Sequence, residues 1–215
     1  MDLEELISAL SEEYDLGVWW PSESPFEVMV GAILTQQTNW NSVSRSLEMM
    51  RRGGLLEVDK MAECDLAVLE EMVRPTGFYR QKASRLRSMA GHIQRNHGSD
   101  VSSLLQGETM KVREELLSLP GIGNETADSI LLFGAGRPKF VAAAYVSRLL
   151  DRTGIFSSKD YMDLQGFVES ELPPDVTAYR RTYALCVHHC QRSCLRRPRC
   201  NACAIAGRCA TGLRR

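Results

Sequence analysis

Four cysteines near one end of the chain, Cys194, Cys200, Cys203 and Cys209, follow the spacing C-x5-C-x2-C-x5-C inside an arginine-rich stretch. Thiolates grouped in this way are soft ligands for zinc or for an iron–sulfur cluster, and spacing alone does not choose between the two. Six of the seven cysteines fall between Cys186 and Cys209. The 215 residues are enough to bury a core without covalent staples, so in a reducing compartment the grouping points to metal before disulfides. Cys190 or Cys186 could replace Cys194 as a ligand, and Cys64 reads as an isolated buried thiol.

A second candidate is the run Leu119-Pro120-Gly121-Ile122-Gly123, followed by Thr126, Ala127 and an apolar stretch. Two glycines two apart allow a tight turn with outward-facing N–H groups, at the start of a helix opened by Asn124 or Thr126. Such a turn can dock a phosphate oxygen without side-chain charge. The plain alternative is a helix–helix turn that needs glycine only for its backbone angles.

The elements that position these groups read as helices nearly throughout, because apolar residues recur at helical spacing and strict alternation is missing. Helices are expected at "DLEELISALSEEY", "SPFEVMVGAILTQQ", "NSVSRSLEMMRR", "DLAVLEEMV", "FYRQKASRLRSMAGHIQRN", "ETMKVREELLSL", "NETADSILLFGAG", "KFVAAAYVSRLLDRTG", "DYMDLQGFVESEL" and "DVTAYRRTYALCVHHCQRS". Short polar or Gly/Pro-marked breaks separate them. The net charge is −1, yet Arg192, Arg196, Arg197, Arg199, Arg208, Arg214 and Arg215 lie in a tail with no acid after Asp175. That asymmetry suits a polyanion partner. Arg80, Lys82, Arg85 and Arg87 form a second basic face that contacts phosphate or is merely solvated. No stretch is apolar enough to span a bilayer and the acidic start is unlike a secretory signal, so the expectation is a soluble cytoplasmic, nucleoid-associated monomer with no membrane partner.

From about Pro25 to Cys209 the chain resembles the endonuclease III-type helix-hairpin-helix DNA glycosylases (HhH-GPD), in one consistent order of motifs. "SPFEVMVGAILTQQT" is similar to their N-terminal core helix and its glutamine-bearing loop, "GFYRQKASRL" to their middle helix, "LPGIGNETA" to their hairpin, and "FVAAAYVSRLL" to the segment that follows. The resemblance implies an all-α, two-lobed fold with a C-terminal four-cysteine cluster loop and a DNA-binding cleft between the lobes. Residues 1–24 with 139–215 would form one lobe, carrying the loop 194–209, and 25–138 the central lobe, carrying the hairpin 119–123. It implies a 4Fe-4S cluster on Cys194, Cys200, Cys203 and Cys209, although the first gap is one residue shorter than the best-known pattern. The cluster would fold the loop and place DNA contacts, without taking part in bond cleavage. The partner implied is double-stranded DNA containing a damaged base.

Breaking an N-glycosidic bond builds positive charge on the sugar, which a nearby carboxylate stabilises while activating water or an amine. The family frame puts that acid at Ala143, amid matching Phe140, Val141, Ala144, Tyr145 and Arg148. The expectation is deliberate inactivation by Asp→Ala, with a natural DNA-binding pseudoenzyme, or an acid moved to Asp128 or Asp151, as alternatives. Glu125 stands at the position of the Schiff-base lysine of bifunctional members, so AP-lyase chemistry is not expected. Lys139 does not fall in that role.

Glycosylases flip the target base out and hold it between flat groups. Trp19, Trp20 and Trp40 are the chain's three tryptophans and are candidates for that clamp, or for packing. With Glu125 they resemble the 3-methyladenine subgroup, which is monofunctional and stacks alkylated purines on aromatic rings. The best-known member of that subgroup lacks the cysteines retained here. Gln36 and Gln37 end the core helix where family members plug the gap left by the flipped base, and Gln37 matches best. Pro120, Gly121, Ile122, Gly123, Thr126 and Arg148 complete the DNA-binding candidates. Oxidised-pyrimidine or mismatch glycosylase activity, and non-catalytic damage binding, are the competing functions.

Overall fold

The computed structural model describes residues 1–214 and contains α1 (Leu3–Glu13), α2 (Pro25–Leu34), α3 (Trp40–Arg52), α4 (Val58–Glu63), α5 (Leu66–Val73), α6 (Tyr79–His97), α7 (Val101–Leu105), α8 (Thr109–Ser118), α9 (Asn124–Ser129), α10 (Ala144–Thr153), α11 (Tyr161–Glu171) and α12 (Val176–Arg192). No strand occurs among the described residues, and none of their helices is long and apolar enough to cross a membrane. Two compact units emerge: Met1–Pro21 with the chain from Pro138 onward, and Ser22–Arg137. Arg215 of the basic tail lies outside the described residues.

Local chemistry sets most helix starts. Side chains of Asp2, Ser24, Asn39, Asp65, Asp100, Glu108, Asp160 and Asp175 each accept a backbone N–H of the first turn. Such caps replace hydrogen bonds that the first turn lacks, each contributing about 1 kcal/mol. In the Ser22–Arg137 unit, α2 is the central element. Pro25 fixes its first turn, and every residue from Phe26 to Leu34 is buried. It packs on α3, on α6 and on the π-helical turn Ile130–Gly134 that continues α9. In the other unit, α12 packs against both α1 and α10.

Two expected helices differ from what is observed. "NETADSILLFGAG" is one helical run, but its second half widens to the π-turn. "KFVAAAYVSRLLDRTG" becomes α-helical only at Ala144, despite its alanines. The stretch before it is held by α11: Phe140 N–H donates to Glu169 Oε1 (2.8 Å), Ala142 N–H to Tyr161 Oη (3.3 Å), and Gln165 Nε2 to Phe140 O (2.5 Å). These bonds take backbone groups that a helix would need, so tertiary context overrides propensity. Helices α4 and α7 were not anticipated from the sequence.

Candidate functional site

The hairpin is anchored by its apolar members and presents its small ones. Leu119, Ile122 and Thr126 are buried, whereas Pro120, Gly121 and Gly123 are exposed. Ile122 N–H closes the turn on Leu119 O (3.1 Å), and Gly121 adopts φ +79°. Gly123 precedes α9 with extended backbone, and nothing within 4 Å would meet an added Cβ. The protein itself therefore does not demand glycine there. Without a side chain there, the approach to the first N–H groups of α9 is open.

Below the turn, Arg113 forms a two-pronged ion pair with Asp128 (Nε–Oδ1 2.7 Å, Nη2–Oδ2 3.1 Å) and also donates to Asn124 Oδ1 (3.0 Å). Asp128 is fully buried and committed to this pair, which removes it as a relocated catalytic acid. Glu125, in the first turn of α9, keeps solvent access, yet desolvation pushes its carboxyl pKa upward.

The two glutamines part company. Gln36 Nε2 donates to Gly121 O (2.9 Å) and Thr126 Oγ1 (3.0 Å), while its Oε1 accepts from Arg85 (2.7 Å). Its amide is spent on bracing the hairpin and is not free to plug a base stack. Gln37 is exposed and left-handed, with φ +54°. A non-glycine residue is rarely held there without reason. Lys82 also departs from the expected basic face: it is buried and donates to Leu34 O and Thr76 O, both at 2.8 Å. The signal was present in the sequence, since Lys82 shares the apolar face of Leu86, Met89 and Ile93. Arg80 and Arg87 are exposed, and Arg85 is half-buried.

In the other unit, Ala143 caps α10 with φ −64° and ψ 158°, is 1% exposed, and offers no side-chain acceptor. Its flanks are well fixed by the α11 bonds, and Lys139 is paired with Glu169 (2.9 Å), so that lysine is not a free amine. Asp151 lies eight residues further along and is exposed, accepting from Ser157 (2.6 Å). At about 1.5 Å rise per residue it is roughly 12 Å from the Ala143 position, which also removes it as a substitute acid. Arg148 stacks on Tyr145 (5.0 Å to the ring centroid), and its Nε is buried without a hydrogen-bond partner.

Trp19 makes an edge contact with His188 (6.3 Å), which in turn meets Tyr14 (4.8 Å). Trp20 and Trp40 are half-buried. Trp19 and Trp20 belong to the unit of α1 and α12, and Trp40 opens α3 in the other.

Cys194, Cys200, Cys203 and Cys209 line a single pocket with Arg152, His189 and Ile205; neither Cys186 nor Cys190 does. Cys186 is wholly buried, and desolvation pushes its thiol up to about 12. A hydrogen bond from Cys190, together with the Arg152 guanidinium, draws Cys194 below the ordinary thiol range. Arg152 organises the loop. Its Nη1 donates to Cys194 Sγ (3.3 Å) and Leu195 O (2.5 Å), its Nη2 donates to Arg196 O (3.0 Å), and its carbonyl accepts from Thr211 Oγ1 (2.9 Å). Nothing in the sequence pattern had singled it out. Four thiols gathered on one pocket suit either zinc or an iron–sulfur cluster. Arg196, Arg197, Arg199 and Arg208 of the same loop are all exposed.

An all-helical chain with this hairpin and this cysteine pocket matches the HhH-GPD superfamily of base excision DNA repair proteins over residues 30–174. It belongs to that superfamily, as a DNA glycosylase of the endonuclease III type. Over 193 residues it is 40% identical to a Methanocaldococcus jannaschii protein provisionally named a DNA repair glycosylase, covering 89% of this chain and 88% of that one. The Helicobacter pylori 3-methyladenine DNA glycosylase bound to 1,N6-ethenoadenine superposes with a TM-score of 0.79 at 30% identity, over 89% of this chain and 98% of that one. A non-covalent endonuclease III–DNA complex gives a TM-score of 0.85 over 100% and 98% of the two chains, and at 19% identity this bears on the fold alone.

Proposed function

We propose that this chain is the body of a monofunctional glycosylase for alkylated purines of the 3-methyladenine type, which binds lesion DNA but leaves the glycosidic bond intact. The observation that carries the reading is Ala143: a buried, uncapped helix start in a segment otherwise pinned by Glu169, Gln165 and Tyr161. A carboxylate in that place would meet the first N–H groups of α10, which hold an anion. It would then stabilise the cationic sugar and activate water. Alanine does neither.

The other residues divide the remaining work. Gly121, Gly123 and the start of α9 take a phosphate; Gln37 is the residue placed to enter the base stack, with Gln36 holding the hairpin for it. Glu125 cannot form a Schiff base, so with an acid restored at position 143 the chemistry would stop at base release without strand cleavage. Trp19, Trp20 and Trp40 are the stacking candidates. The substrate class is favoured by the likeness to the Helicobacter pylori enzyme. Cys194, Cys200, Cys203 and Cys209 would hold a 4Fe-4S cluster, which supplies the crosslink that folds the arginine-bearing loop for phosphate contact.

The test is base release by Ala143→Asp on duplexes carrying 3-methyladenine, thymine glycol or a G·T mismatch. Free 3-methyladenine, without nicking, is the expected product. Release from either of the other two duplexes instead would move the assignment to oxidised-pyrimidine or mismatch repair. No release from any of them, with lesion-selective binding retained, would make the chain a damage-binding protein.

A further inference from the structure

His92 and His97 on α6 and Glu115 on α8 form a cluster that neither the hairpin nor the cysteine pocket uses. Both imidazole Nε2 atoms reach Glu115 Oε1, at 2.8 and 2.7 Å. The three ligand atoms lie within 4.8 Å of one another, the only such group of metal-binding atoms among the described residues. The side chains are 21%, 13% and 33% exposed, so solvent ions reach them while the surrounding helices limit their movement. The ring centroids stand 5.8 Å apart with planes inclined at 44°. Two imidazoles on one tetrahedral ion, with metal–nitrogen bonds of about 2.0–2.1 Å, need nearly that separation.

The outer contacts fit as well. His92 Nδ1 lies 3.0 Å from Asn96 Nδ2, and His97 Nδ1 lies 3.3 Å from Ser103 Oγ. Partners at the far nitrogen are what fix the tautomer and orientation of a metal-bound imidazole.

We propose that His92, His97 and Glu115 are a binding site for a divalent transition metal of the zinc class, with a fourth position left to water. Two imidazoles and one carboxylate suit zinc and its neighbours, whereas magnesium and calcium prefer all-oxygen sets. With the metal on Nε2 of each ring, the ring proton stands on Nδ1, where Ser103 Oγ would accept it from His97 and Asn96, with its amide turned over, from His92. The ion would tie the end of α6 to α8, whose last residue, Ser118, leads directly into the hairpin. His92 also lines an open polar pocket with Arg87, Arg95, Ser118, Leu119 and Pro120. A metal here would therefore brace the hairpin from behind, independently of the identity of the excised base.

The experiment is calorimetric titration of the cluster-bearing protein with zinc chloride, with visible absorbance followed to verify that the cysteine loop is undisturbed. It is joined to anomalous diffraction at the zinc edge from crystals of the unaltered protein. One zinc per chain is expected, within about 2.0–2.2 Å of the two Nε2 atoms and a Glu115 oxygen. His97→Gln and Glu115→Gln should each weaken binding by about 100-fold or more, and Asn96→Ala by roughly tenfold. Unchanged affinity in both ligand variants, or an anomalous peak confined to the cysteine loop, would overturn the proposal. The map from the unaltered protein decides the matter even if a variant does not fold.

Discussion

Arg85 lies across the open face of Gly121, so close that an added Cβ would collide with its Nε, and the same guanidinium donates to Gln36 Oε1 at 2.7 Å. Gln36 then donates back to Gly121 O at 2.9 Å, closing a circuit of three residues around the hairpin. Gly121→Ala must place a side chain at φ +79° and displace Arg85 from that circuit. The left-handed backbone costs about 1 kcal/mol and the lost charge-assisted hydrogen bond about 1.5. A loss on the order of 2–3 kcal/mol in urea unfolding is expected from these two terms, with DNA affinity falling too. Gly123→Ala is the contrast. Its site is open, so stability should fall by less than about 1 kcal/mol, while a duplex-binding titration should still register weaker binding. Equal behaviour of the two variants would remove the phosphate role of Gly123.

The buried Arg113–Asp128 pair is the hairpin's other support. Removing one partner leaves a charge unpaired in the interior, and Asp128→Asn should cost about 3–5 kcal/mol. The double change Arg113→Met with Asp128→Leu should cost clearly less than the single one, since no stranded charge remains. Unfolding midpoints of the three proteins test this; a double variant worse than Asp128→Asn would contradict it.

Lys82 makes stability depend on alkaline pH. Burial, aided by the Arg85 charge, lowers its pKa from 10.5 to about 8. Between these values the folded state has released the proton and the unfolded chain still holds it, so stability rises with pH across that window. Denaturation midpoints should increase as the pH is taken from just below the lower of these values to the upper one, and Lys82→Met should flatten that rise. A flat profile in the unaltered protein would sink the assignment.

Glu125 acts in the opposite sense. Its folded-state pKa is raised by desolvation, so the folded chain binds the proton more tightly than the unfolded one, and stability falls as pH climbs from the ordinary carboxyl value through the raised one. Glu125→Gln should stabilise the protein at neutral pH, make no difference well below the ordinary carboxyl range, and tighten DNA binding by removing a negative charge beside the hairpin. Identical melting of the two proteins at neutral pH would count against this.

How much of this was legible beforehand varies with the range of the forces. Ser24-Pro25 and Asn39 mark helix starts that local chemistry alone dictates, and α1, α2, α3, α6 and α12 follow their apolar periodicity. The hairpin and the four-cysteine spacing were also readable, because each is local in sequence. The extended approach to Ala143 was not, since its backbone partners lie on α11, a separate helix beyond α10. Gln36 reads as a polar helix end until Arg85, Gly121 and Thr126 close around it. The His92–His97–Glu115 cluster has no sequence signature either, because its third member arrives from a different helix.

Ala143 admits a sharper test than restoring the acid alone. Asn and Asp cap helix starts about equally well, and α10 lacks any side-chain cap. Ala143→Asn should therefore raise stability by about 1 kcal/mol, less whatever burying the amide costs, without creating a group that can stabilise a cationic sugar. Ala143→Asp should cap as well and, in addition, raise the rate of base release by at least about 100-fold over the Asn variant, the scale on which one well-placed electrostatic group acts. Thermal melts and base-release rates measured side by side separate the structural role of this position at the start of α10 from the chemical one. If Asn and Asp give the same stability and neither releases base, the missing cap is real but the missing acid is not, and catalysis must be sought at another residue.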